Sequence, residues 1–222
     1  GNQCRLLLFG TNATYNSYDF AINNDGSIGA YVLVGGPSAL TAAAGTVTTN
    51  IWYHIAIVSN AGAAALYVNG VSKASNASIL LPTSGNIPLY VGYDTVGTVN
   101  AQFNGYVSNL RIVKGTALYT STFTPPTSAL TAVSGTVLLT CQSNRFLDNS
   151  TNAFAITASG SPTVQAFSPF APSAYYSTST VGGSMYFNGS TDWLRVGTSG
   201  SNSVFNLSSS TSWTIEAWIY PT

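Results

Sequence analysis

Trp52-Tyr53-His54-Ile55-Ala56-Ile57-Val58-Ser59, with Ala64-Ala65-Leu66-Tyr67-Val68-Asn69-Gly70-Val71 close behind it, is the stretch that decides the fold. Both runs are rich in β-branched and aromatic residues, and the Asn-Gly before Val71 signals a tight hairpin. Alternation puts Trp52, His54, Ala56 and Val58 on one face of the first run and Tyr53, Ile55 and Ile57 on the other. Both faces are apolar, which predicts a central strand covered on both sides. A lone histidine in such a strand reads as a satisfied core or cleft-wall residue rather than a ligand.

Similar runs recur outward from this pair. Strands are expected at Arg5–Gly10, Tyr18–Asn23, Ile28–Val34, Leu89–Tyr93, Phe103–Val113 and Val137–Cys141. Later ones are expected at Ala153–Thr157, Ser184–Phe187, Trp193–Val196 and Trp213–Tyr220. In the last of these, Trp213, Ile215, Ala217 and Ile219 share one side, and Thr214, Glu216, Trp218 and Tyr220 the other. Asn23-Asn24-Asp25-Gly26 is a second hairpin signal. No segment sustains a helical apolar stripe; a short helix or 3₁₀ turn is allowed only near Ser203–Leu207 or Thr116–Tyr119. Many short strands with Gly and Asn turns predict an all-β, antiparallel two-sheet sandwich of jelly-roll type.

Composition narrows the chemistry. The chain has 222 residues, 45% hydrophobic and only 5% charged, with six Lys and Arg balancing six Asp and Glu. Such a surface offers nothing to neutralise phosphates, so neither nucleic acid nor membrane insertion is expected. Ser (29), Thr (27) and Asn (19) must keep it wet instead. The single His54 and single Glu216 leave little for catalysis, and the acids Asp19, Asp25, Asp94, Asp148, Asp192 and Glu216 are scattered singly. A zinc site or a glycosidase carboxylate pair has no visible basis, and a non-enzyme without cofactor or metal is expected. Cys4 and Cys141 are either a disulfide between neighbouring strands or two buried thiols.

The middle of the chain changes character. Thr120–Ala129 and Phe167–Ser173 are Pro-rich and cannot be central strands. Between them, Arg145 and Asp148 are the densest charge of the chain and read as a local ion pair fixing a turn. A decapeptide, Ser38-Ala-Leu-Thr-Ala-Ala-Ala-Gly-Thr-Val47, is echoed at Ser128-Ala-Leu-Thr-Ala-Val-Ser-Gly-Thr-Val137, without establishing a repeat architecture.

Trp52-Tyr53-His54-Ile55-Ala56 and Leu66-Tyr67-Val68-Asn69-Gly70 resemble the laminin G-like, concanavalin A-like sandwich family, with its W-x-H-[IV]-A strand and L-Y-[VI]-N-G hairpin. Leu89-Tyr90-Val91-Gly92 and Phe103-Asn104-Gly105-Tyr106-Val107-Ser108-Asn109-Leu110-Arg111-Ile112 continue the pattern. The strands that usually open the family resemble Met185–Val196 and Ser212–Pro221, so the order is circularly permuted relative to the family. The resemblance implies residues 1–119 as the main part of the sandwich, 120–182 as a connector, and 183–222 as opening strands completing this or a neighbouring copy. The family includes glucanases with an E-x-D-x-x-E strand; that strand is missing, so hydrolysis does not carry over. Calcium, bound by some relatives, finds no cluster of acidic ligands. The stretch Phe123–Ala171 resembles connectors in large structural proteins of marine viruses, especially cyanophages.

Two functions follow as expectations. The first is a structural repeat of an extracellular or virion fibre, its partners being copies of itself in tandem or head to tail. Strand complementation would then use Trp193, Leu194, Val196, Trp213, Ile215 and Trp218, unless the permuted chain closes on itself. The second is an adhesion module for cell-surface glycans, whose candidate ligand residues are Trp193, Trp218, Tyr15, Tyr18, Tyr93 and Asp94.

Overall fold

The computed structural model describes residues 3–10, 18–33, 37–77, 88–93, 102–143, 145–170, 183–197 and 203–222. In chain order its strands are β1 (Gln3–Phe9), β2 (Tyr18–Asn23), β3 (Ile28–Leu33), β4 (Pro37–Thr41), β5 (Tyr53–Asn60), β6 (Ala63–Val68), β7 (Val71–Asn76) and β8 (Leu89–Val91). They continue with β9 (Asn104–Lys114), β10 (Thr136–Thr140), β11 (Ile156–Ser159), β12 (Thr163–Gln165), β13 (Ser184–Asn188), β14 (Trp193–Val196) and β15 (Trp213–Pro221). Two 3₁₀ turns, Ser203–Phe205 and Leu207–Ser209, precede β15, and residues 116–119 form none.

Two antiparallel sheets face each other. Sheet A has seven strands in the order β11-β14-β8-β1-β2-β3-β4; sheet B has eight, β12-β13-β9-β15-β5-β6-β7, with β10 also on β9. The core between them is built by alternation: Leu7, Phe9, Phe20 and Val91 from sheet A meet Ile55, Ile57, Ile215 and Ile219 from sheet B. Burying each such large side chain contributes about 1.5–3 kcal/mol. The Trp213–Ile219 alternation read from sequence is observed, with Trp213, Ile215, Ala217 and Ile219 all in this core.

The C-terminal strands settle inside their own chain. β15 lies between β5 and β9, β13 pairs with β9, and β14 pairs with β8. Of the alternatives left open, completion of this copy or of a neighbour, the single chain shows the first arrangement, with Leu194, Val196, Trp213 and Ile215 buried in its own core. A strand with ladders on both sides has no hydrogen-bonding edge left to offer.

Both faces of β5 are indeed covered, the inner one by sheet A and the outer one by the Pro-rich segment. Residues 116–131 cross the outer face of sheet B as a strap. The Leu118 amide donates to Thr214 Oγ1 (2.9 Å), the Phe123 amide to the Gly70 carbonyl (3.0 Å) and the Leu130 amide to Asn109 Oδ1 (2.7 Å). Gly70 sits at φ +78° in the β6–β7 turn, and a Cβ there would overlap the Phe123 carbonyl oxygen. Glycine is therefore required twice over, for the turn and for the close approach of the strap. Beneath the strap, Ala56, Val58 and Tyr67 form a second small core with Tyr119 and Phe123, whose rings stack at 3.6 Å.

One local reading needs correcting, and one open alternative is resolved. Asp148 forms no ion pair with Arg145, which is exposed; its carboxylate accepts the amides of Leu139, Ser150 and Phe154 at 2.9–3.0 Å. The turn is fixed, but by backbone donors. Cys4 and Cys141 are free thiols, and burial pushes the Cys141 thiol up to about 12.

Candidate functional site

Glu216 is the sole glutamate and the first residue to test for chemistry. Its Oε1 accepts Arg111 Nε (2.8 Å) and Nη2 (2.6 Å); its Oε2 accepts His54 Nε2 (3.1 Å) and the Tyr119 hydroxyl (2.8 Å). Arg111 also reaches the Thr131 carbonyl at 2.7 Å. Burial opposes the charged carboxylate most strongly, yet the His54 hydrogen bond and the Arg111 charge outweigh it and hold the acid below its ordinary value. Every acceptor position is taken, and Glu216 and His54 are 1% and 0% exposed. This cluster ties the strap to the sheet, leaving its carboxylate no route to a substrate.

The outer face of sheet A is built differently. Register places Arg195 of β14 opposite Tyr90 of β8, Tyr90 opposite Leu8 of β1, and Leu8 opposite Asp19 of β2. Trp193 stands on the same face as Arg195, two residues along the strand. Its ring lies 4.6 Å from Tyr93 and 5.6 Å from Tyr90, and the two tyrosines are 5.0 Å apart. All three rings and Arg195 are half-buried, so each keeps a surface to solvent. Burial lifts the Tyr90 hydroxyl above its usual value, while the nearby Arg195 guanidinium pulls it down.

Arg195 stands out by what it lacks. Its Nε is buried without an acceptor, and among the described residues no carboxylate pairs with it. Further along the same face, Asp19 accepts Arg5 Nε at 2.5 Å through Oδ2, but its buried Oδ1 has no partner. Desolvation raises the Asp19 carboxyl above its ordinary value, against the opposing pull of Arg5.

The sequence candidates divide accordingly. Trp193 and Tyr93 come together. Trp218 lies on the other sheet, packed on His54 and Phe170 at 5.3 and 5.7 Å. Tyr18 is corrected: it is 2% exposed, stacks on Phe9 at 4.2 Å and donates to the Phe205 carbonyl, because its strand turns that position inward. Tyr15 and Asp94 lie outside the described residues. Tyr90 and Arg195 were not among the candidates. Alternation alone would have put Arg195 beside Trp193, but the β8–β14 pairing that adds Tyr90 joins segments about a hundred positions apart.

Two concavities lie away from these rings. One, of about 370 Å³, opens at an end of the sandwich beside Asn24, Thr48 and Phe103; its Asp25 is engaged by Ser27. The other, of about 690 Å³, runs between β7 and the strap over Ala65, Ser72 and Ser75. Neither carries an uncommitted charged side chain. No group of three or more His, Cys, Asp or Glu that could hold a metal is found among the described residues.

Two antiparallel sheets packed face to face define a concanavalin A-like sandwich, and comparison with known families agrees. The chain belongs to the concanavalin A-like lectin/glucanase superfamily, whose laminin G-type model matches residues 2–119. That span ends where the strap begins, so it contains β1–β9 and none of the connector likened to marine-virus proteins. No curated protein and no solved structure matches the chain significantly.

Proposed function

We propose that this domain is a non-catalytic carbohydrate-binding and adhesion module, acting on an extracellular or virion surface, and that its sugar face is the Trp193–Tyr93–Tyr90 platform. The observation that carries the reading is the platform itself: three mutually contacting, half-exposed rings beside an arginine with no carboxylate partner among the described residues. Aromatic faces offer apolar area to the C–H face of a pyranose while hydroxyls and guanidinium N–H groups bond its rim. The superfamily supports the reading at the level of the fold, and the charge-poor surface suits a neutral or weakly charged partner. Binding rather than turnover is favoured because Glu216 is saturated and sealed. The second reading, a structural repeat of an extracellular or virion fibre, then takes its tandem-repeat form, because β13, β14 and β15 pair within the chain.

The test is a panel of soluble oligosaccharides followed by tryptophan fluorescence. Trp193→Ala should weaken binding about tenfold or more while leaving the melting temperature within a few degrees, because the ring is half outside the core. Binding that is absent throughout, or indifferent to Trp193→Ala and Tyr93→Ala, would sink the proposal.

A further inference from the structure

We infer that the sugar held on this platform is an acidic one, a uronate whose carboxylate is received by Arg195. The inference rests on the carbohydrate-binding reading and specifies its ligand.

The argument is one of charge accounting. On each outer sheet face a buried arginine has its carboxylate: Arg5 faces Asp19, and Arg111 faces Glu216. Arg195 is set into a third such position, half-buried among rings on the outer face of a sheet, yet no acid among the described residues answers it. Its Nε is buried with no acceptor, which is a standing cost for a charged donor. An Nε–H left over on a planar guanidinium, together with the neighbouring Nη–H, is a two-toothed fork that matches the two oxygens of a carboxylate. Arg195 is only half-buried, so part of its side chain meets solvent on the platform side, where a ligand carboxylate would supply the acceptor the protein lacks. Trp193 stands two residues away on the same face, and Tyr90 is directly across the ladder. A pyranose stacked on the rings therefore places a ring carboxylate within reach of the guanidinium, whereas a neutral sugar leaves the fork unused.

The experiment uses the whole chain and oligomers of galacturonate and of mannuronate, each as the free acid and as the methyl ester, by titration calorimetry. At least one free acid should bind about tenfold or more tightly than its ester, as a charge-assisted pair requires. Arg195→Gln should erase that preference and leave ester binding in place. Arg145→Gln, an exposed cation far from the platform in sequence, should change neither. Loss of the preference in Arg145→Gln as well would mean general charge attraction and overturn the inference. So would equal affinity for acid and ester, and if Trp193→Ala then abolished both, the carbohydrate reading would stand while its acidic form fell. Failure of every acid, ester and neutral saccharide to bind would overturn the carbohydrate reading itself.

Discussion

The two outer faces of the sandwich each bury an arginine–carboxylate pair, and they treat it in opposite ways. On sheet B, Glu216 accepts four hydrogen bonds, lies under the 116–131 strap and is held below its ordinary pKa. On sheet A, Asp19 leaves Oδ1 unpartnered, and desolvation holds it above its ordinary pKa. Burial is similar at the two sites, so the difference lies in the supply of donors. A carboxylate surrounded by donors makes a clasp that fixes a loop to a sheet. An undersupplied carboxylate shares its face with the Trp193 platform and with Arg195, which no carboxylate among the described residues answers, although sheet B also leaves His54 Nδ1 and Trp218 Nε1 without partners. The clasp therefore lies on sheet B, and the proposed ligand platform on sheet A.

The sharpest way to break this contrast is to disarm the clasp. Glu216→Gln keeps the shape but leaves Arg111 buried without its counter-charge and deprives His54 and Tyr119 of an anionic acceptor. Removing one partner of a buried pair costs about 3–5 kcal/mol. Urea unfolding should show a loss of that size, while sugar binding at the Trp193 platform persists wherever the domain is folded. A loss below about 1 kcal/mol would mean the strap does not depend on the cluster.

A smaller effect is expected at the far end of the strap. Gly70→Ala places a Cβ at positive φ and against the Phe123 carbonyl oxygen. The backbone strain alone costs about 1–3 kcal/mol. Hydrogen exchange should accelerate across residues 116–131 before it changes in β1, β2 or β8. Uniform acceleration across both sheets would show instead that strap and core open together.

Much of this was legible in the chain, and each failure has its own physical cause. Tyr18–Asn23 and Trp193–Val196 were read to the residue, and the two-faced Trp52–Val58 run did announce a strand buried on both sides. The strands not anticipated, β4, β7 and β12, are all sheet edges, and β11, the remaining edge, was placed too early. An edge is held by one ladder and solvated on its other side, so Pro37-Ser-Ala-Leu-Thr41 and Val71-Ser-Lys-Ala-Ser-Asn76 need no strong apolar alternation. Tyr18 was misjudged because Tyr18-Asp19-Phe20-Ala21 is buried on both faces, and a tyrosine does not reveal which side its hydroxyl serves. The partners of Glu216 were out of reach for another reason. Arg111 and His54 lie 105 and 162 positions away, and no local pattern encodes a ladder of that span.

The subtlest test compares the two carboxyls by titration. The folded-state pKa of Glu216 lies below its unfolded value of about 4.3. Its contribution to stability is therefore complete above that value and is lost as pH falls through the folded pKa. Asp19 runs the other way. Its folded pKa is raised above an unfolded value of about 3.9, so its contribution is complete below that value and is lost as pH rises through the folded pKa. Acidification from neutrality should thus weaken the clasp on sheet B while relieving the desolvated charge on sheet A, and the two effects partly cancel. Asp19→Asn removes the relief and should steepen the acid limb of a stability profile; Glu216→Gln removes the loss and should flatten it. Carbon-detected carboxyl NMR on the wild-type chain gives the direct reading, with Asp19 titrating above the ordinary aspartate value and Glu216 below the ordinary glutamate value. An Asp19 that titrates at or below the ordinary aspartate value would show that it is as well supplied with donors as Glu216, and the contrast between the two faces would lose its electrostatic basis.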